Sequence, residues 1–452
     1  MRIIHNQATS RFAANGRRQM KQTLPSVSTH LRSLVCLMAC GFVLSTGAAP
    51  AADWAGFRGS HGNGLADSTP VPLRWDTTTN IRWKIPLPQP CNGSPIVVGT
   101  RVFFTCAEDN EGRRRTLYCV DAATGKSIWS RTVDFDRTMP THETNRYCGT
   151  TPASNGKLIV VWHGSAGLHC YDMDGKPQWE LELGEFRHTW GYGTSPVIDG
   201  DQVILSTGPG KEPFVAAYDL KTGKQRWKLI EARPGKADRT TTSTMYGSWS
   251  TPILRLIDGR KQLICCMPTR VLALAPETGK EIWSCTGLNH DRGDLAYSSP
   301  IVAANLVFVH GGFHGVAMAI KLGGRGDVTE THRLWRTEPN PQNIGTGLYI
   351  DGYVYRPNAK PTTIECIEPK TGKIIWKERA GKGEHWGSMV RIGEHAMVTN
   401  RKGETIVFKP SPDGFKSVST NPLDDVCSTT PAVSNGRIFI RAYKHLYCIA
   451  SQ

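Results

Sequence analysis

The stretch Leu117 to Val133, LYCVDAATGKSIWSRTV, decides the fold. It reads as a strand (LYCVD), a tight turn (AATGK) and a second strand (SIWSRTV), because Gly125 can take a positive φ without steric cost. The phrase returns as AAYDLKTGKQRWKLI from Ala216, ALAPETGKEIWSC from Ala273 and IECIEPKTGKIIWKE from Ile364. A looser copy, LHCYDMDGKPQWELEL, starts at Leu168. Upstream of the copies lies a second recurring phrase: GSPIVVGTRVFFT from Gly93, TTPASNGKLIVVW from Thr150 and TSPVIDGDQVILS from Thr194. It continues as STPILRLIDGRKQLICC from Ser250, SSPIVAANLVFVHG from Ser298 and TTPAVSNGRIFIR from Thr429. Each pair of phrases makes four short strands.

A unit of four strands every roughly 40–50 residues is the signature of propeller blades. The expected fold is therefore all-β, an eight-bladed propeller of four-stranded antiparallel blades. Blade 1 spans Cys91 to Val133, blade 2 Gly149 to Gly184, blade 3 Gly193 to Ile230 and blade 4 Trp249 to Gly287. Blade 5 spans Tyr297 to Thr337, blade 6 Ile344 to Ala380 and blade 7 Trp386 to Thr420. Ile81 to Leu87 looks like the end of a blade without a beginning, and Cys427 to Ala450 supplies three strands without a fourth. Together they make blade 8 and close the ring, which hides two strand edges at once. Residues 1–51 are expected to be a leader, 52–80 an N-terminal extension packed across the disc, and 81–452 one propeller.

Seven blades carry a Trp at the matched position of the fourth strand: Trp83, Trp129, Trp179, Trp227, Trp283, Trp335 and Trp376. These read as structural rings docking one blade on the next. Blade 7 has PDGFKSVS instead, and blade 5 replaces its turn with an insertion from Gly323. The triplet Arg325-Gly326-Asp327 in that insertion is assigned to turn chemistry rather than adhesion.

These residues resemble the PQQ-repeat propellers, whose repeat ends in T-G-K-x-x-W, a group that includes quinoprotein alcohol dehydrogenases and BamB. The resemblance covers nearly everything from Asp53 to the end. The opening Trp54-Ala55-Gly56-Phe57-Arg58-Gly59 also resembles secreted propellers that begin W-x-x-F-R-G. The resemblance implies a propeller; it does not fix an activity, since one fold hosts many functions.

Residues 1–51 hold six Lys or Arg and no acid, an apolar run from Leu31 to Leu44, and the small-residue site Ala49-Pro50-Ala51. This is the pattern of an export leader, with the start at Met1 or Met20. The apolar run continues past Cys40, which favours cleavage near Ala51 over acylation of Cys40 or a lasting transmembrane anchor. A periplasmic or extracytoplasmic location follows. Without the leader, 48 basic residues face 39 acidic ones. That moderate excess, with no nucleic-acid motif, argues against nucleic acid as a partner. Envelope proteins or peptides are the expected partners, and a monomer the expected state. Eleven of the 13 cysteines lie beyond the leader, an odd number that cannot all pair internally. Cys265-Cys266 reads as two strand residues on opposite faces, with a vicinal disulfide as the alternative.

Residues just before each innermost strand converge on one mouth of a propeller. Here they include Arg146, Tyr147, His188, Trp190, Tyr192, Trp249, His385 and Trp386, with Tyr246, Asp294 and Tyr297 nearby. Aromatics, His and Arg around a funnel suit a small ligand or peptide; the alternative is that aromatic-Gly pairs simply seal the axis. A quinone dehydrogenase would need a Trp platform, for which Trp190, Trp249 or Trp386 are available. It would also need carboxylates for Ca²⁺ and for a base, for which Asp294, Asp424 and Asp425 are available. No stretch matches the calcium and catalytic segments that the resemblance would imply. The leading expectation is thus an exported, non-catalytic, BamB-like scaffold for protein or ligand, with no catalytic residue, no metal and no cofactor. The alternative is a PQQ- and Ca²⁺-dependent alcohol or sugar dehydrogenase.

Overall fold

The computed structural model describes residues 53–67, 69–210, 212–231 and 246–451. The expected leader lies outside the described residues. Eight sheets built on four antiparallel strands form the blades, one of them, in blade 4, carrying a fifth strand. Blade 1, for example, consists of Ile96–Val98, Arg101–Ala107, Arg114–Asp121 and Ser127–Asp134. Ile81–Pro86 pairs antiparallel with His445–Ile449, so the ring closes as its sequence requires.

The repeated Trp and the repeated Gly turn out to be two halves of one contact. The indole N–H of Trp227 donates to the Pro276 carbonyl of blade 4 at 2.8 Å. Equivalent bonds run from Trp83 to Ala122, Trp129 to Met173, Trp179 to Leu220, Trp335 to Pro369 and Trp376 to Ser411. Each crosses to the next blade. In five of these seams the ring lies against the turn glycine of that blade. A Cβ on Gly125, Gly175, Gly223, Gly279 or Gly372 would fall 2.4 to 2.9 Å from the indole. The turn needs glycine twice over, for its positive φ of 69–78° and for the ring it seats. Directly across the ladder from each of the seven Trp stands a small residue: Cys448, Cys119, Cys170, Ala217, Ala273, Ala319 or Cys366. The recurring cysteines are therefore compact core fillers, and all eleven described cysteines are buried and unpaired. Cys265 packs toward blade 3 and Cys266 toward blade 5, on opposite faces of one strand.

Two seams depart from the pattern. Between blades 4 and 5, Trp283 is fully buried but bonds Gln262 of its own blade, at 3.0 Å. The blade 5 insertion compensates: Gly326–Asp327 adds a fifth, parallel strand against Trp283 and Ser284. The Arg-Gly-Asp triplet is thus part of a strand edge and not, as its composition suggested, of a turn. The physical reason is the open outer edge of blade 4, which backbone pairing covers. In blade 7, Ser419 holds the register position of the missing Trp. There the N-terminal segment brings in Trp75, buried in the cluster that contains Val407, Leu423 and Ile438. Asn421 accepts the backbone N–H of Trp75 at 3.2 Å and donates to the Leu73 carbonyl at 3.1 Å.

The same N-terminal segment crosses the axis. Trp54 pairs with Val97 of blade 1, and the Ala55 carbonyl accepts from Ser154 of blade 2. Arg58 is buried and donates to Gly347 of blade 6 at 2.6 Å, and Gly64 bonds Arg391 of blade 7. The W-x-x-F-R-G phrase is the part that reaches from one side of the ring to the other.

Candidate functional site

The residue just before the innermost strand's proline is Ser or Thr in most blades, and the structure gives that choice a purpose. The N–H of Ser94 donates to the Thr151 hydroxyl, that of Thr151 to Ser195, and so on through Thr251, Ser299, Thr346, Ser388 and Thr430. Thr430 then donates to Ser94, which completes a belt of eight bonds of 2.9–3.1 Å around the axis. A hydroxyl can accept from one neighbour while its own N–H donates to the next, so one residue type serves the whole circle.

Above the belt lies a cavity of about 450 Å³. It is lined mostly by residues that precede the innermost strands, while a second hollow of about 350 Å³ is lined by the innermost strands of blades 2 to 4 and by the N-terminal segment. Phe57 of the N-terminal segment lines both, as does the belt residue Ser299. The upper cavity has three kinds of wall. Blades 1 and 2 contribute Asn92, His142, Thr144 and Asn145; the arc before blades 3, 4 and 5 contributes Trp190, Trp249, Leu295 and Tyr297. Blades 6 and 7 contribute Gln342, Lys360, Glu384, Trp386 and Arg401.

Each wall is braced. Asn145 donates to the Trp190 carbonyl at 2.7 Å and accepts from Asn92 at 3.0 Å. Trp249 meets Tyr297 edge-on, ring centres 5.5 Å apart, and donates to Gly191 at 3.2 Å. Glu384 accepts the Trp386 indole N–H at 2.9 Å and pairs with Lys360 at 3.2 Å and Arg401 at 3.7 Å. The Arg401 guanidinium also lies 4.6 Å over the Trp386 ring. The charged wall therefore carries two cations and one carboxylate.

Of the residues singled out in the sequence, Trp190, Trp249, Tyr297 and Trp386 meet in this cavity. Arg146 is half-buried and outside its lining. Tyr147 and Tyr192 are buried for another purpose. With Phe135 they surround the buried Arg115, whose guanidinium lies 5.1–5.9 Å from the three rings. Arg115 also donates to the Tyr192 hydroxyl at 3.1 Å. A cation removed from water takes ring faces and oxygens as partners, and those rings are then unavailable to a guest.

The two histidines likewise sit behind the walls. His188 packs edge-on against Trp249 at 4.9 Å, and its ring nitrogen accepts the Trp190 N–H. His385 is fully buried, which lowers its pKa to about 4 and keeps it neutral near neutral pH. Neither lines the cavity, whose lysine and arginine are Lys360 and Arg401. Those two lie between the second and third strands of their blades, outside both recurring phrases, where sequence register gives no signal. Tyr246 and Asp294 sit on a parallel pair of short strands before blades 4 and 5.

The candidate acids are also placed. Asp425 is buried and receives the Lys444 N–H and the His445 ring, a structural bond at blade 8. Asp424 is exposed, and Asp294 accepts the His290 N–H at 3.1 Å. None lines the cavity, whose one carboxylate, Glu384, is already held by two cations and an indole. Ca²⁺ takes six to eight oxygens from carboxylates, carbonyls and water, and a cavity whose one carboxylate is already committed does not fit it. Among the described residues no group of three or more His, Cys, Asp or Glu is placed to hold a metal ion.

Comparison with known proteins agrees with the geometry of the ring. Residues 113–378 match the family described as outer membrane protein assembly factor BamB. The quinone alcohol dehydrogenase subunit of Gluconobacter oxydans is 29% identical over 253 residues, 52% of this chain and 27% of that protein. Methanol dehydrogenase subunit 1 of Paracoccus denitrificans is 26% identical over 153 residues, 31% of this chain and 24% of that protein. The chain thus spans about a quarter of the length of these two relatives. Among solved structures, BamB from Moraxella catarrhalis superposes with a TM-score of 0.57 at 14% identity, covering 82% of this chain and 99% of that one. The quinohemoprotein alcohol dehydrogenase of Comamonas testosteroni gives 0.58 at 13% identity, covering 89% and 81%. Both likenesses are of fold. With more than half of its length matched by that family's model, the chain belongs to the BamB family of β-propellers.

Proposed function

We propose that this chain is an exported, non-catalytic propeller that works as a binding scaffold, taking a ligand or peptide in its axial cavity and offering its faces to envelope proteins. One observation carries the reading: Trp190, Trp249, Tyr297 and Trp386 converge with Lys360 and Arg401 in one cavity over the belt. Concave sites lined by aromatics with a few fixed polar groups are the usual form of a ligand site. Glu384 is committed to two ion pairs and an indole N–H, which leaves it poorly poised as a general base.

The names of the curated relatives favour a second reading, a quinone-dependent alcohol dehydrogenase. The lack of a calcium-type donor set among the cavity's side chains weighs against it. The two separate in one assay. The mature protein is incubated with PQQ and Ca²⁺, and dye-linked oxidation of ethanol and glucose is followed. Turnover would replace the scaffold by the dehydrogenase; quinone binding without turnover, or no quinone binding, is the expected result.

A further inference from the structure

Resting on that ligand-cavity reading, we infer that the guest is a short acidic oligosaccharide, a glycan segment carrying uronate carboxylates. The wall geometry comes first. Trp190 precedes blade 3 and Trp386 blade 7, four blades apart in a ring of eight, so they stand on opposite walls. Neighbouring rings in the cavity are steeply inclined, 71° between Trp249 and Tyr297 and 59° between His142 and Trp190. Such walls form a curved apolar surface and not a parallel slot. A flat polycycle would stack on one ring and miss the others. A chain of pyranose rings presents C–H faces in successive orientations, which suits inclined indoles.

Hydroxyls around a sugar ring need donors and acceptors at its edge. Asn92 supplies an example: it lines the cavity, and its side-chain oxygen is buried with no protein partner. The charge comes last. The Arg401 side chain is 28% exposed, and its guanidinium pairs with Glu384 only at 3.7 Å. The Lys360 side chain is 64% exposed. This pair has spare donors for a carboxylate, which accepts them better than a neutral hydroxyl does. The cations repel a cationic guest and leave a neutral one underused.

The test titrates the mature chain with trigalacturonate, maltotriose and PQQ, reading tryptophan fluorescence and binding heat. Trigalacturonate is expected to bind saturably and to weaken with added salt. Arg401→Gln and Trp190→Ala should each weaken it about tenfold or more, while Arg187→Gln, on an exposed side chain away from the cavity, should not. If Arg401→Gln lowers the melting temperature, Lys360→Gln, on a largely exposed side chain, must give the same loss of affinity. Equal affinity for maltotriose overturns the acidic class. Binding of PQQ alone overturns the sugar and leaves the ligand cavity standing. No saturable response to any of the three overturns both.

Discussion

The seam between blades 3 and 4 and the seam between blades 7 and 8 fill the same gap from different directions. In the first, Trp227 reaches out of its own fourth strand, bonds Pro276 and rests on Gly279. In the second, the fourth strand offers Ser419, and Trp75 arrives from the N-terminal segment more than 300 residues away in sequence. The comparison teaches that the seam requires a large ring, whichever part of the chain carries it. It also shows that one segment performs three tasks: Ile81–Pro86 closes blade 8, Trp75 fills the neighbouring seam, and Trp54–Gly64 spans the axis.

The largest expected effect follows from that overlap. Deleting residues 53–88 exposes the edge of His445–Ile449 and empties the blade 7–8 seam together. The truncated chain should lose its cooperative unfolding transition by circular dichroism; an unchanged melting curve would show that neither contact matters. Single truncations come next. Trp227→Ala and Trp75→Ala remove rings of similar burial, 8% and 4% exposed, and each should cost about 3–5 kcal/mol in urea denaturation. They should differ in where the damage falls. Trp75→Ala should speed hydrogen exchange of Trp54–Ala66, which Trp227→Ala should leave slow. Equal exchange in the two variants would break the distinction between the seams.

The sequence read the seam far better than it read the mouth. T-G-K-x-x-W repeats within one chain, so each copy tests the others, and the strand at Ile81 is visible as the missing partner of Ala450. Trp75 escaped notice because it stands outside the repeat. At the mouth, register places Trp190, Trp249 and Trp386 on one face, but it cannot tell a wall from what stands behind it. Tyr147 and Tyr192 are claimed by Arg115, a long-range partner invisible in sequence. Lys360 and Arg401 reach the cavity only because their loops fold over it. Six of the eight belt residues stand in the quoted upstream phrases, yet their meaning appears only when the circle closes at Thr430 and Ser94.

The finest distinction lies in what seats each ring. Gly279 has φ 69°, and a Cβ there would come 2.4 Å from Trp227. Gly259, in the same blade, has φ 72° and meets nothing within 4 Å. Gly259→Ala should therefore cost only the left-handed backbone term, about 1–2 kcal/mol. Gly279→Ala adds a collision that the buried indole cannot escape without leaving Pro276, so it should cost more. In the Trp227→Ala background the collision disappears, and Gly279→Ala should fall back to that same backbone term. The Trp227–Gly279 cycle should then show a coupling of roughly 1 kcal/mol or more, while Trp227–Gly259 should add within about 0.5 kcal/mol. Additivity in both cycles would mean that the turn glycine is kept for its φ alone, and that the ring's seat in the regular seams is as indifferent to its neighbour as Trp75 is to sequence position.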